Sequence, residues 1–241
     1  MISRTRTVLL ALAALAGVIY LTNSAANSAT SYTAYGDVES DAYYADAVSW
    51  MRGRGITTGV TPGCFGPDTN VTRAQFVVLL WRTAGEPDVR RQHGFADVNA
   101  DWQQEAVSWA RQRGITTGTT PTTFSPDAPI TRGDLVTMMW RWKNEPSVRH
   151  DHGFRDITAD YQHDAVSWAV ARDITRGTTP DSFSPAAATS RAEAAVFIWR
   201  QRGEPNVQRV PEAQSCNRPK PAAPAETPPT HNPGAAAPAQ N

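Results

Sequence analysis

Three arginines, Arg73, Arg132 and Arg191, recur at a constant spacing of 59 residues, each directly after a hydroxyl residue, Thr72, Thr131 or Ser190. A guanidinium fork is suited to grip a carboxylate or phosphate through two hydrogen bonds. Three positions after each hydroxyl residue stands Gln75, Asp134 or Glu193. That is the pattern of a capping box at the start of a helix, with Asp134 as a shortened version. Amides at a helix N-terminus favour anions, so the three arginines are candidate anion contacts. The competing reading is an ion pair between each arginine and an acidic residue of the next copy. Gly59, Gly118 and Gly177 keep the same spacing. A missing side chain there either lets backbone approach a ligand or permits positive φ in a turn. Tyr43, Trp102 and Tyr161, again in register and flanked by polar residues, are candidate stacking platforms.

The elements that must position these residues repeat with them. Trp50, Trp109 and Trp168, then Phe65, Phe124 and Phe183, then Pro87, Pro146 and Pro205 step by the same 59 residues. One supersecondary unit is therefore present three times, and a unit so short is expected to pack on its copies because it buries too little surface alone. Each copy reads as two helices joined by a turn-rich loop. The first helix carries Asp46-Ala47-Val48-Ser49-Trp50-Met51 or its counterparts, with the acid in the opening turn where the helix dipole favours it. Its Trp lies beside the apolar face and reads as core. Gly55 and Gly114 occupy the left-handed cap position of the first two such helices, where the third has Asp173, so that helix is expected to end differently. The loops pass from Ile56, Ile115 or Ile174 to Phe65, Phe124 or Phe183 with enough Pro and Gly to argue against long strands. The second helix begins at the arginine and holds an apolar run such as Phe76, Val77, Leu80 and Trp81. Asp37, Asp97 and Asp156 read as caps of the loop that enters each copy. The fold class is mainly α.

Several function classes are excluded by composition and context. With 23 basic and 23 acidic residues intermixed, the chain has no broad polyanion footprint, which argues against nucleic acid as a partner. Ser49, Ser108 and Ser167 lack a nucleophile-elbow setting, and no acidic pair outside the repeated scaffold nominates itself for glycoside cleavage. His150 and His152 flank Asp151 like a metal fragment, but between copies and far from cysteine; a solvated linker is the better reading. An enzyme, a metal and a cofactor are all unexpected.

Residues 1–30 read as an export signal, with Arg4 and Arg6 ahead of an apolar stretch from Val8 to Leu21 and small residues behind it. At about 1.5 Å per residue that stretch spans roughly 21 Å, short of the roughly 30 Å hydrocarbon core. Cleavage is preferred, and a membrane contact is expected only if the segment is retained as an anchor. No second apolar run of that kind occurs, so a secreted protein is expected. Residues 211–241 are Pro- and Ala-rich with nothing to bury and read as a disordered tail. Cys64 and Cys216 are an even pair in an exported chain, which favours a disulfide.

The ordered set of motifs resembles the S-layer homology domain. It consists of an aromatic-x-Asp-Val/Ile opening (Phe95-Ala96-Asp97-Val98), an Ala-Val-x-Trp helix, Gly-Ile-Thr-x-Gly, Phe-x-Pro and a Thr-Arg-Ala-Glu-like string. Three tandem modules, at 31–89, 90–148 and 149–210, cover most of the chain. The resemblance implies a pseudo-threefold, three-pronged bundle with the second helices at its centre. It further implies noncovalent attachment to a bacterial cell wall or cell surface. The ligand would be an acidic, often pyruvylated, wall polysaccharide in the grooves between modules, where the glycine loops could approach a sugar. Gln75, Asp134, Gly133 and Ser190 depart from the family string. The alternative is an extracellular protein-interaction scaffold using the same grooves. In a closed pseudo-trimer the third module neighbours the first, so the segment after Pro205 could return to join Cys216 to Cys64.

Overall fold

The computed structural model describes residues 35–207 and Cys216. The expected leader lies outside the described residues, as does the expected tail apart from Cys216. Among the described residues six helices account for the regular structure: α1 (Ala45–Gly53), α2 (Arg73–Thr83), α3 (Asp101–Gln112), α4 (Arg132–Trp142), α5 (Asp160–Ala171) and α6 (Arg191–Gln201). Among the described residues β-pairing is confined to isolated bridges, three of which close a tight turn in each module's loop, as at Thr61–Cys64.

The helices pair across modules. α3 packs on α2, α5 on α4, and α1 on α6, so each first helix is covered by the second helix of another module, and the last pairing joins the chain's third module to its first. The starts of α2, α4 and α6 converge on a closed triangle of backbone hydrogen bonds. Val71 N donates to Thr189 O, Thr189 N to Ile130 O and Ile130 N to Val71 O, each at 3.0 Å. All three residues are fully buried. Every strand-like amide at the axis is thus satisfied by a different module, which buried backbone requires. Around the axis a single apolar cluster runs through all three modules, from Phe65, Phe76 and Leu80 through Phe124, Leu135 and Met139 to Phe183, Ala195 and Ile198.

Local chemistry fixes each loop. The carboxylates of Asp37, Asp97 and Asp156 accept both amides of the Phe-x-Pro turn 27–29 residues later, for instance Phe124 N at 2.8 Å and Ser125 N at 2.7 Å. They clamp that turn instead of capping the entering loop. Burial pulls Asp97 and Asp156 upward, but these amides outweigh it and hold both below the ordinary aspartate pKa. At the module exits, Trp81, Trp140 and Trp199 donate Nε1 to the carbonyls of Pro87, Pro146 and Pro205 at 3.0–3.1 Å.

The third first-helix ends as the other two do, contrary to expectation. Asp173 adopts φ +55° where Gly55 and Gly114 have +69°, and Ile174 N reaches back to Ala169 O at 2.9 Å, as Ile56 and Ile115 reach back to Met51 O and Ala110 O. The tertiary contacts around Ile174 impose the turn on a residue that tolerates it less well. Asp173→Gly should therefore stabilise the protein by about 0.5–1 kcal/mol, a rise of about 1–4 °C in the thermal midpoint for a chain of this size. A lower midpoint would show that the aspartate side chain contributes more than its backbone strain removes.

Cys64 and Cys216 form a disulfide with Cα atoms 4.9 Å apart across a sequence separation of 152. It ties the loop of the first module to a residue beyond the last helix of the third.

Candidate functional site

Arg73, Arg132 and Arg191 each open a second helix, and all three are only 4–5% exposed. Their Nε atoms donate around the ring: Arg73 to Phe124 O at 2.9 Å, Arg132 to Phe183 O at 3.0 Å and Arg191 to Phe65 O at 2.8 Å. Each guanidinium lies over the ring of that same phenylalanine, 4.8–5.1 Å from its centroid, a cation–π contact strengthened by exclusion of water. Burial lowers the pKa of all three.

Their charge partners differ. Arg73 Nη1 meets Asp134 Oδ2 at 2.9 Å and Arg132 Nη1 meets Glu193 Oε1 at 2.7 Å. At the equivalent place before Arg191 stands Gln75, and Arg191 has no ion pair among the described residues. The inter-copy ion pair weighed from the sequence therefore exists for two arginines and not for the third. Asp134 is too short to close the capping box that Gln75 and Glu193 complete. Its carboxylate instead takes Arg73 and, at 3.3 Å, the hydroxyl of Tyr161.

The helix N-termini themselves are filled. The first two amides of α2 donate to Ala128 O and Pro126 O, those of α4 to Ala187 O and Pro185 O, and those of α6 to Thr69 O and Pro67 O, all at 2.9–3.0 Å. The side chains of Thr72, Thr131 and Ser190 accept the third amide. An anion cannot use these amides; what these helix starts present to the grooves is the guanidinium of Arg73 or Arg191. The sequence could not reveal this, because the occupying carbonyls come from the next module.

Two grooves collect the other candidates. One, of about 410 Å³, has Arg73 from the first module, the Thr116–Thr119 loop with Gly118, Asp134 and Arg141 from the second, and Tyr161 from the third. The other, of about 260 Å³, has Arg191 from the third module, the Thr57–Val60 loop with Gly59 and Gln75 from the first, and Trp102 from the second. Each groove thus draws on three modules. Tyr43 completes the pattern near Arg132 and Glu193: burial and the Glu193 carboxylate raise its pKa, with Arg132 opposing. Tyr43, Trp102 and Tyr161 are 66%, 53% and 53% exposed, whereas Trp50, Trp109 and Trp168 are core residues.

Gly59, Gly118 and Gly177 have φ of +84°, +89° and +81°, and a Cβ on any of them would collide with a loop carbonyl and with the ring of Tyr35, Phe95 or Phe154. The turn reading of these glycines is thereby accounted for, while Gly59 and Gly118 also line grooves. His152 Nε2 lies 3.0 Å from His163 Nδ1, and His150 is exposed. Among the described residues the one trio with metal-ligand geometry is Asp37, Cys64 and Cys216, and its sulfurs are consumed in the disulfide.

The sequence profile of the S-layer homology domain matches residues 34–77, 94–136 and 153–195, once in each module. The chain belongs to the S-layer homology domain family. Similar proteins include an endoglucanase from Bacillus sp. (strain KSM-635), 27% identical over 68% of this chain and 18% of its own. An S-layer protein from Bacillus thuringiensis subsp. finitimus is 26% identical over 67% of this chain and 20% of its own. A cellulosome-anchoring protein from Acetivibrio thermocellus is 26% identical over 61% of this chain and 36% of its own. The chain thus spans between about a fifth and about a third of the length of these relatives.

One departure from the S-layer homology string has a physical reason. At Gly133, where the string has Ala, a Cβ would strike the amide of Gln162. That glutamine is buried and donates Nε2 to the Tyr161 hydroxyl at 3.0 Å, positioning the ring at the groove mouth. Sequence reasoning did not reach Gln162; its signals are the glycine facing it and Gln103 in register with it in the second module.

Proposed function

We propose that the three S-layer homology modules attach this protein noncovalently to a bacterial cell wall, outside the cell, by holding an acidic wall carbohydrate in the grooves between modules. The observation that carries the reading is Arg191. It is a buried guanidinium that makes no ion pair among the described residues, Asp37 acting on it only beyond contact, on the wall of a groove that also presents Gln75, Gly59 and the exposed ring of Trp102. A buried charge without a contacting partner is costly, and an anionic group entering the groove supplies one. A sugar carboxylate, such as a pyruvyl substituent, fits the fork, and the pyranose ring can stack on the indole.

Arg73 and Arg132 are neutralised by Asp134 and Glu193, so the Arg73 groove, with Gly118 and Tyr161, and the equivalent surface beside Arg132, Gly177 and Tyr43 suit hydroxyl-rich, less charged residues of the polymer. Thr72, Thr131 and Ser190 act through the helix starts that carry the arginines. The matched stretch is common to an endoglucanase, an S-layer protein and an anchoring protein, which fits a shared attachment role better than hydrolysis.

The test is sedimentation of the full chain with wall sacculi, intact or stripped of their secondary polysaccharide. Gln75→Glu would place a carboxylate against Arg191 while keeping the capping box. Losing the charge-assisted contact corresponds to about 1.5–3 kcal/mol, so Gln75→Glu should weaken binding to intact sacculi about 10- to 100-fold with an unchanged melt. Equal binding of both proteins would remove Arg191 from the site. Equal binding to stripped sacculi would favour a protein partner in the same grooves.

A further inference from the structure

A third cavity, of about 250 Å³, lies at the other end of α4, where Trp109, Arg113, Arg141, Trp142 and Asn144 of the second module face Ala84 and Pro87 of the first. It meets the Arg73 groove at Arg141, which lines both. Trp142 stands edge-on to Trp109 with centroids 6.5 Å apart. Its indole N–H has no protein acceptor among the described residues, unlike those of Trp81, Trp140 and Trp199. The side chains of Arg113 and Asn144 also have no hydrogen-bond or ion-pair partner among the described residues. Such a concave place, with an aromatic wall and a few polar groups that make no protein contact converging on it, has the make-up of a small-ligand site. Its volume is below the roughly 300 Å³ at which ordinary ligand pockets begin, so it suits one ring and not an oligosaccharide.

The feature belongs to one module only. In register with Trp142 stand Thr83 and Gln201, and in register with Asn144 stand Gly85 and Gly203, whereas Arg113 and Trp109 have counterparts in all modules. The second module has therefore added an aromatic plate and an amide to a position that is otherwise plain surface.

We infer that the cavity of Trp109, Arg113, Trp142 and Asn144 is a second subsite, which takes one pyranose ring of the wall polysaccharide next to the residue held in the Arg73 groove. This rests on the wall-carbohydrate reading above. The apolar face of the ring stacks on Trp142, and the indole N–H, the Arg113 guanidinium and the Asn144 amide meet its hydroxyl or acidic substituents. Arg141, shared by the two cavities, lies where the glycosidic link passes.

The test compares wall polysaccharide released from sacculi and cut by partial hydrolysis into single-repeat and multi-repeat fragments, titrated calorimetrically into the full chain. Trp142→Thr supplies the residue of the first module, and Arg113→Ala removes an exposed side chain with no protein partner. Both should weaken multi-repeat binding about 2- to 10-fold, the range for an aromatic contact, and leave single-repeat binding unchanged. Unchanged binding of both fragments by both variants, or equal loss for both fragments, would overturn the subsite while leaving the grooves standing. If the unaltered chain binds neither fragment, the wall-carbohydrate reading fails first and the subsite falls with it.

Discussion

Residues 90–148 expressed alone should give an unfolded chain, with collapsed amide dispersion and no cooperative melt. In that fragment α3 loses its partner α2, and α4 loses α5. The first two amides of α4 lose Ala187 O and Pro185 O, and Ile130 loses both partners in the axial triangle. Arg132 loses Phe183 O and Glu193 together, which would leave its charge facing either water or an apolar surface. What remains is a pair of helices shorter than the lengths at which isolated helices hold in water, with half their apolar surface uncovered. A sharp, cooperative transition in the fragment would mean that each module is a self-sufficient bead and that the shared core is incidental.

Removing the disulfide should have the next largest effect. The bond joins residues 152 apart and closes a loop that holds α2 to α6, the second and third modules and the latter half of the first. In the chain-entropy description such a loop stabilises by about 5 kcal/mol, an upper figure since denatured-state structure and native strain subtract from it. Cys64 is buried beside Phe65, whose carbonyl holds Arg191, so alanine is the substitution least disturbing to that contact. Cys64→Ala/Cys216→Ala should lower the thermal midpoint by about 5–15 °C, with the single cooperative transition retained because the axial triangle and the α1–α6 pairing remain. A drop of a degree or less would show that non-covalent closure already restricts the unfolded chain's return. Two transitions would show that the bond alone unites the third module with the first.

Much of the local architecture was legible. The helix starts at Arg73, Arg132 and Arg191 follow from the hydroxyl residues before them, and the core tryptophans from their place on the apolar face. The exposed Tyr43, Trp102 and Tyr161 could be told from those core residues because their neighbours are polar. Two local readings needed correction for one shared reason. Asp173 takes a left-handed turn because tertiary packing of Ile174 dictates it, and Asp37, Asp97 and Asp156 serve a turn nearly half a module away. The core that buries Ile174 and the turn that the three aspartates hold both lie beyond the few residues that local propensity can weigh.

Repetition itself hid the rest. When every module carries the same residues at the same step, an arginine and a phenylalanine 51 positions on are equivalent in the alignment to the phenylalanine eight positions before it, and spacing cannot say which of the two accepts the hydrogen bond. The sequence by itself determined the period, the helices, their caps and the three sets of candidate residues, because these depend on side chains and backbone within one turn or one face. Only the tertiary structure decided that each helix pair and each groove is assembled from different modules, that the helix N-termini are closed to anions, and that of the three arginines Arg191 alone makes no ion pair among the described residues. Those outcomes depend on which copy lies beside which, and ring closure, driven by apolar faces too small to be buried within one module, sets that order.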